Sequence, residues 1–94
     1  MSEPIVLKLY IAGMTPAAHR AIKNLNDICS EISNGAEYVL EVVDILLHPQ
    51  LAEDEKILAT PTVIKKLPPP MRRLIGDFSV KSQVLVGLDL VTSP

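Results

Sequence analysis

The chain has 94 residues and a net charge of −2, with nine basic against eleven acidic side chains, and is 48% hydrophobic with only Tyr10, Tyr38 and Phe78 aromatic. That length predicts one domain, residues 1–94, with a small aliphatic core of Leu, Ile and Val, for which oligomerisation is an easy way to hide more surface. The slightly acidic balance gives no electrostatic basis for nucleic-acid binding, and the apolar runs fall far short of the roughly 20 residues that span a membrane.

Residues Ile5 to Ala12, IVLKLYIA, form an almost unbroken β-branched and apolar run, which predicts a strand covered on both faces. Gly13 to Pro16 breaks it. Thr15 is placed to cap a helix, with Pro16 at the first-turn position that accepts proline. Ala18, Ala21, Ile22, Leu25, Ile28, Cys29 and Ile32 then recur at helical spacing, while Arg20, Lys23, Asp27 and Glu31 fall opposite. Asn34-Gly35 is the expected stop. Tyr38 to Ile45 predicts a second strand, completing a βαβ unit.

Pro49 to Ile57 predicts a short helix with an acidic Glu53-Asp54-Glu55 patch. Pro61 to Leu67 reads as a strand, and Met71 to Phe78 as its hairpin partner, with the turn at Pro68-Pro69-Pro70. Ser79 is a candidate cap for a last helix built on Val80, Val84, Leu85 and Leu88. The order βαβαββα is that of an α/β thioredoxin-like fold. Local signals weaken after Leu46. The segment LVGLDLV suits either a helix or a strand, and Gly87 costs about 1 kcal/mol in a helix relative to alanine. A second half without one dominant local preference is a physical precondition for alternative folds separated by little energy.

Three motifs carry a family resemblance: VLKLYIAGMTP near the start, PQLAEDEKILATPT in the middle, and LPPPMRRLIGD with VLVGLDL in the final third. Together they span nearly the whole chain, which resembles the circadian-clock protein KaiB family. The resemblance implies a non-catalytic binding protein with two folds. One is a ground-state fold, differing in the C-terminal half, that assembles as a homotetramer or dimer. The other is a rarer thioredoxin-like fold, monomeric when free. The rare form is expected to bind the N-terminal ATPase ring of a KaiC-like hexamer after nucleotide hydrolysis, with KaiA and a sensor histidine kinase as further partners. Cyanobacterial members carry an acidic tail beyond the last motif, where this sequence runs out at Val91-Thr-Ser-Pro94. An alternative role is that of an adaptor for a KaiC-like ATPase in stress adaptation, outside a daily clock.

The resemblance also implies roles for particular residues. Lys56, Lys65, Arg20 and Arg72 become candidate partner contacts for an acidic surface, against the ordinary reading of each as a solvated charge. Pro61, Pro69, Pro70, Gly87 and Asp89 become candidate fold-switch residues. Thr60-Pro61-Thr62 lies where thioredoxin-like proteins place a cis proline. Gly87 weakens a helix through backbone entropy, and Asp89 would meet the unfavourable end of the helix dipole.

A thiol-disulfide oxidoreductase is the competing enzyme class. Its dithiol belongs at the start of the first helix, usually as Cys-x-x-Cys; here Ala12-Gly13-Met14-Thr15-Pro16 stands in that place. Cys29 is the single cysteine; it falls on the apolar helix face and predicts a buried, inert thiol. One cysteine cannot form an internal disulfide, and Glu3-Pro4 precedes the first apolar run without a basic signal region, so a cytoplasmic location is expected. His19 and His48 have no metal-ligand spacing with it, and no cofactor is expected.

Overall fold

A computed structural model of the protein describes residues 4–33 and 37–90. The expected helix stop at Asn34-Gly35 and the tail from Val91 lie outside these residues. Seven elements run in the order β1 (Ile5–Ile11), α1 (Pro16–Ser33), β2 (Tyr38–Asp44), α2 (Pro49–Asp54), β3 (Thr62–Leu67), β4 (Arg72–Ile75) and α3 (Lys81–Gly87). The strands form one sheet in the order β2-β1-β3-β4. β1 is parallel to β2, whereas the β1–β3 and β3–β4 pairs are antiparallel. The βαβαββα order read from the sequence is therefore the order of the fold.

β1 lies between two strands, and Leu7, Leu9, Tyr10 and Ile11 are all almost fully buried. Strand geometry sends alternate residues to opposite faces. Leu7, Leu9 and Ile11 join Val63 from β3 and Ala18, Ala21, Leu25, Ile28 and Cys29 from α1 in the main core. Each fully buried large aliphatic side chain there contributes roughly 1.5–3 kcal/mol. Tyr10 points the other way, into a smaller cluster with Val43 and Ile64, against which Ile45 and Ile57 pack. Thus α1 and α3 cover one face of the sheet, and the α2 segment reaches the other through Ile57.

α1 begins as its sequence dictates. The Thr15 hydroxyl accepts the Ala18 amide at 3.1 Å, with Pro16 at the first helical position. Lys23 and Asp27 pair one turn apart at 2.8 Å on the exposed side.

The C-terminal half departs from the expected boundaries in three places. α2 ends at Asp54 rather than Ile57 because Lys56 turns left-handed, with φ 54°. β4 stops at Ile75 rather than Phe78 because Gly76 and Phe78 take φ of 142° and 62°, swinging the Phe78 ring out of the strand and into the main core. Ser79 does not cap α3. The cap residue is Val80, which offers no side-chain hydrogen bond, and the Ser79 amide is instead taken by the Asp77 carboxylate at 3.2 Å. The ambiguous LVGLDL stretch resolves as the last turn of α3 followed by a left-handed Asp89. The peptide bonds Thr60-Pro61, Leu67-Pro68 and Pro69-Pro70 are cis.

Candidate partner-binding surface

Lys56 owes its place to the way α2 ends. The Lys56 amide donates to Glu53 O and the Ile57 amide to Ala52 O, both at helix-closing distances of 3.1 and 2.8 Å. This is a Schellman ending with lysine at the left-handed position that glycine usually fills. The Arg73 guanidinium, reaching from β4, donates to Glu55 O at 2.9 Å and to Lys56 O at 3.3 Å. A cation therefore sits at the negative end of the short helix. The Lys66 ammonium pairs with Glu55 at 2.9 Å. These internal bonds use Arg73 and Lys66. Among the described residues, the exposed Lys56 ammonium forms no ion pair.

Beside Lys56 lies an open, mainly apolar hollow of about 390 Å³, lined by Ala52, Glu53, Lys56, Ile57 and Leu58. Leu58 is 95% exposed, and Leu46, Leu47 and Leu51 are exposed in the same stretch of chain. A cation at the rim of an apolar hollow that includes the exposed Leu58 can contribute steering by charge and affinity by apolar burial.

The other three candidate contacts do not join this surface. Arg20 lies on α1, across the sheet from Lys56, and its Nε pairs with the Asp77 carboxylate at 3.2 Å. Arg72 is exposed on the edge strand β4, where a guanidinium nitrogen donates to the Met71 carbonyl at 3.1 Å. Lys65 is fully buried, contrary to its expected place on the surface. It follows Val63 on the helix-covered face of β3, and its ammonium donates to the Asp89 carbonyl at 3.2 Å. Desolvation holds its pKa below the ordinary lysine value, with Arg72 acting in the same direction and Asp89 against it. Sequence spacing held the signal: Lys65 is two residues from Val63 in a strand and so shares its face.

The candidate fold-switch residues cluster around α3 and the start and end of β3. Pro61 precedes β3, and Pro69 and Pro70 lie in the β3–β4 turn. Gly87 is the last residue of α3, and a methyl group there would stand 3.0 Å from Leu74 Cδ1. Asp89 closes α3 as Lys56 closes α2: its amide donates to Val86 O and the Leu90 amide to Leu85 O.

The turn before α1, where a thioredoxin-type dithiol would stand, contains Gly13, Met14 and Thr15. The Gly13 amide there is taken by the Asp44 carboxylate at 3.0 Å, which also accepts the Leu46 amide. Cys29 is buried on the core-facing side of α1, and burial pushes its thiol up to about 11. Among the described residues no group of side chains could hold a metal ion, and no helix is long and apolar enough to cross a membrane.

Residues 8–90 match the family description "KaiB domain". The chain is 58% identical over 91 residues to the circadian clock oscillator protein KaiB of Thermostichus vulcanus, covering 97% of this chain and 83% of that protein. It is 54% identical over 91 residues to the protein of the same description from Cyanothece sp., covering 97% of this chain and 86% of the relative. Among solved structures, the N-terminal domain of Synechococcus elongatus SasA superposes with a TM-score of 0.77 at 20% identity, over 100% of this chain and 91% of that domain. Mitochondrial thioredoxin 3 of Saccharomyces cerevisiae gives 0.70 at 12% identity, over 93% and 78% of the two chains. The structural likenesses establish a thioredoxin-like fold.

Proposed function

The chain belongs to the KaiB family, and from that membership we propose that it is a non-catalytic clock adaptor whose thioredoxin-like form binds the N-terminal ATPase ring of a KaiC-like hexamer in the post-hydrolysis state. The observation that carries this reading is the α2 surface. There Lys56, without an ion pair among the described residues, borders a hollow lined by Ala52, Glu53, Ile57 and Leu58, a combination suited to an apolar surface with an acidic group placed opposite Lys56. The turn before α1 holds a glycine, a methionine and a threonine, which supports binding rather than thiol chemistry.

Further partners belong to the same reading. β2 is an edge strand whose side chains Val39 and Val42 are exposed. An open apolar edge invites strand addition by a partner, which supports capture of KaiA there once the ring is bound. Competition with a sensor histidine kinase for the ring belongs to the same proposal and requires a competing domain of like shape. The resting state in this proposal is a homotetramer or dimer with a differently folded C-terminal half, located in the cytoplasm. The test is a titration of the free protein, followed by NMR, with a KaiC-like hexamer held in its ATP or its ADP state. Selective binding to the ADP state is the expected result; equal affinity for both states, or no binding to either, refutes the proposal.

A further inference from the structure

Asp77 is held at three points. Its Oδ2 receives Arg20 Nε at 3.2 Å, its main-chain oxygen receives Asn24 Nδ2 at 2.9 Å, and its Oδ1 receives the Ser79 amide at 3.2 Å. Arg20 and Asn24 stand one turn apart on α1 and so present one face to the same residue. The bond from the Ser79 amide closes a side-chain turn of the kind aspartate forms two residues ahead of itself. That turn lies between the end of β4 and the start of α3, and it carries Phe78 at φ 62°. Phe78 is 5% exposed and belongs to the main core with Val84 of α3 and Leu88 at its C-cap. The seating of α3 therefore begins at the turn that α1 grips.

We propose that Arg20 is a positioning residue: with Asn24 it fixes Asp77 and the turn through Ser79, and acts on partner binding through the seating of Phe78 and α3 rather than by touching the partner. Only the binding readout rests on the function proposed above. Arg20 and Asp77 are 57 residues apart in the chain, so the pair forms only when the C-terminal half takes this arrangement. A short helix without a side-chain cap has little else at its N-terminus to fix its start. The Asp77 carboxyl is held below the ordinary carboxylate range, first by the Ser79 bond and then by Arg20. The carboxylate thus serves the turn and the ion pair at once, through different oxygens.

The two duties can be separated. Asp77→Asn keeps an oxygen for the Ser79 amide and removes the charge that faces Arg20. Four chains complete a double-mutant cycle: the parent, Arg20→Gln, Asp77→Asn and the double variant. Two quantities are read: denaturant unfolding of the thioredoxin-like form of the free chain, followed through its α3 resonances, and the dissociation constant for the isolated ATPase ring of a KaiC-like hexamer loaded with ADP. Arg20→Gln should weaken ring binding about two- to fivefold in the parent, the range expected for an exposed pair. In the Asp77→Asn background it should have almost no effect. Arg20→Lys should recover part of the loss. The free-chain stability should follow the same non-additive pattern. An equal loss in both backgrounds would make Arg20 a direct contact and overturn the proposal. Unchanged free-chain stability in both single variants would also overturn it. If the parent does not bind the ring, the proposed function fails, while the free-chain cycle still decides whether the pair positions α3.

Discussion

The ammonium of Lys65, buried on the helix-covered face of β3, donates to the carbonyl of Asp89 at 3.2 Å and so ties the sheet to the residue two past the end of α3. A cation at that point faces the negative end of the helix. The arrangement makes Lys65 a structural residue of the thioredoxin-like form. Lys65→Glu would bury a carboxylate against the same helix end and should cost more than about 3 kcal/mol. Lys65→Met keeps most of the volume, loses one hydrogen bond and should cost about 1 kcal/mol. Denaturant unfolding of the two variants checks the ordering. Equal, near-zero effects would return Lys65 to the surface.

Gly87 and Leu74 are coupled. Alanine at position 87 gains up to about 1 kcal/mol of helix propensity. Its methyl group would stand 3.0 and 3.3 Å from the two terminal carbons of Leu74, so that side chain must shift to make room. Gly87→Ala should therefore stabilise the thioredoxin-like form by clearly less than about 1 kcal/mol on its own. Leu74→Ala should cost less in the Gly87→Ala background than in the parent, because the new methyl fills part of the space. A double-mutant cycle of unfolding free energies measures the difference, and strict additivity would show that the two groups do not meet.

Asp89 is strained by its backbone, beyond any effect of its charge. It occupies the left-handed position of the α3 ending at φ 53°, where glycine is the usual residue. Asp89→Gly should favour the thioredoxin-like form by roughly 0.5–1 kcal/mol. Asp89→Arg would improve the interaction with the helix end by a few tenths of a kcal/mol to about 1 kcal/mol, but it leaves a side chain in the left-handed region. It also exchanges the attraction of Asp89 for Lys65 for a repulsion. The expected order of stability is Asp89→Gly above Asp89→Arg. Urea unfolding measures that order, and arginine ranking first would show that charge outweighs backbone strain.

The order of elements was legible because β1 and α1 are unambiguous. The run from Ile5 is apolar on both faces, and the helix from Pro16 repeats its apolar residues at every turn. Their burial follows directly. The ends of α2, β4 and α3 were not legible, for one shared reason. Lys56, Phe78 and Asp89 take left-handed backbone angles, whereas sequence rules look for glycine at such positions. Long-range contacts set those angles, as at the Asp77 turn that α1 grips from a distance of 57 residues. The candidate contacts divided for the same reason. Whether a lysine is solvated depends on which helix covers its strand, and the position of α3 over Lys65 is a tertiary fact. Of the four cations singled out, Lys56 and Arg72 remain exposed without an ion pair among the described residues, Arg20 is paired at the surface, and Lys65 is inside.

Cys29 supplies an internal probe of opening. Burial alone raises its thiol to about 11 from an ordinary value of 9.0. The neutral form is favoured in the folded chain, so this group's contribution to stability is complete below about pH 9 and is lost as pH rises through about 11. At neutral pH, alkylation should proceed only through molecules that have opened the core. Labelling with iodoacetamide should slow in Asp89→Gly and accelerate in Lys65→Glu. A labelling rate equal to that of a free thiol and insensitive to both variants would mean that Cys29 is accessible in the folded chain.

Lys56 allows fold and contact to be separated, because its backbone and side chain point to opposite outcomes. At φ 54° it is a non-glycine residue at the left-handed end of α2. Lys56→Gly should therefore stabilise the thioredoxin-like form by roughly 0.5–1 kcal/mol. If stability of that form were all that governed the ring binding proposed above, affinity for the ring would rise in proportion. The exposed ammonium beside the Ala52–Leu58 hollow predicts the reverse. Loss of a steering cation should slow association and weaken the complex, more so at low salt than at high salt. Lys56→Glu keeps the left-handed strain and reverses the charge, so it should weaken the complex further while leaving stability within about 0.5 kcal/mol of the parent. Unfolding by urea and ring binding by titration at two salt concentrations would be measured on the same three proteins. Affinity that rises with stability in Lys56→Gly, or stays unchanged in Lys56→Glu, removes Lys56 from the binding surface.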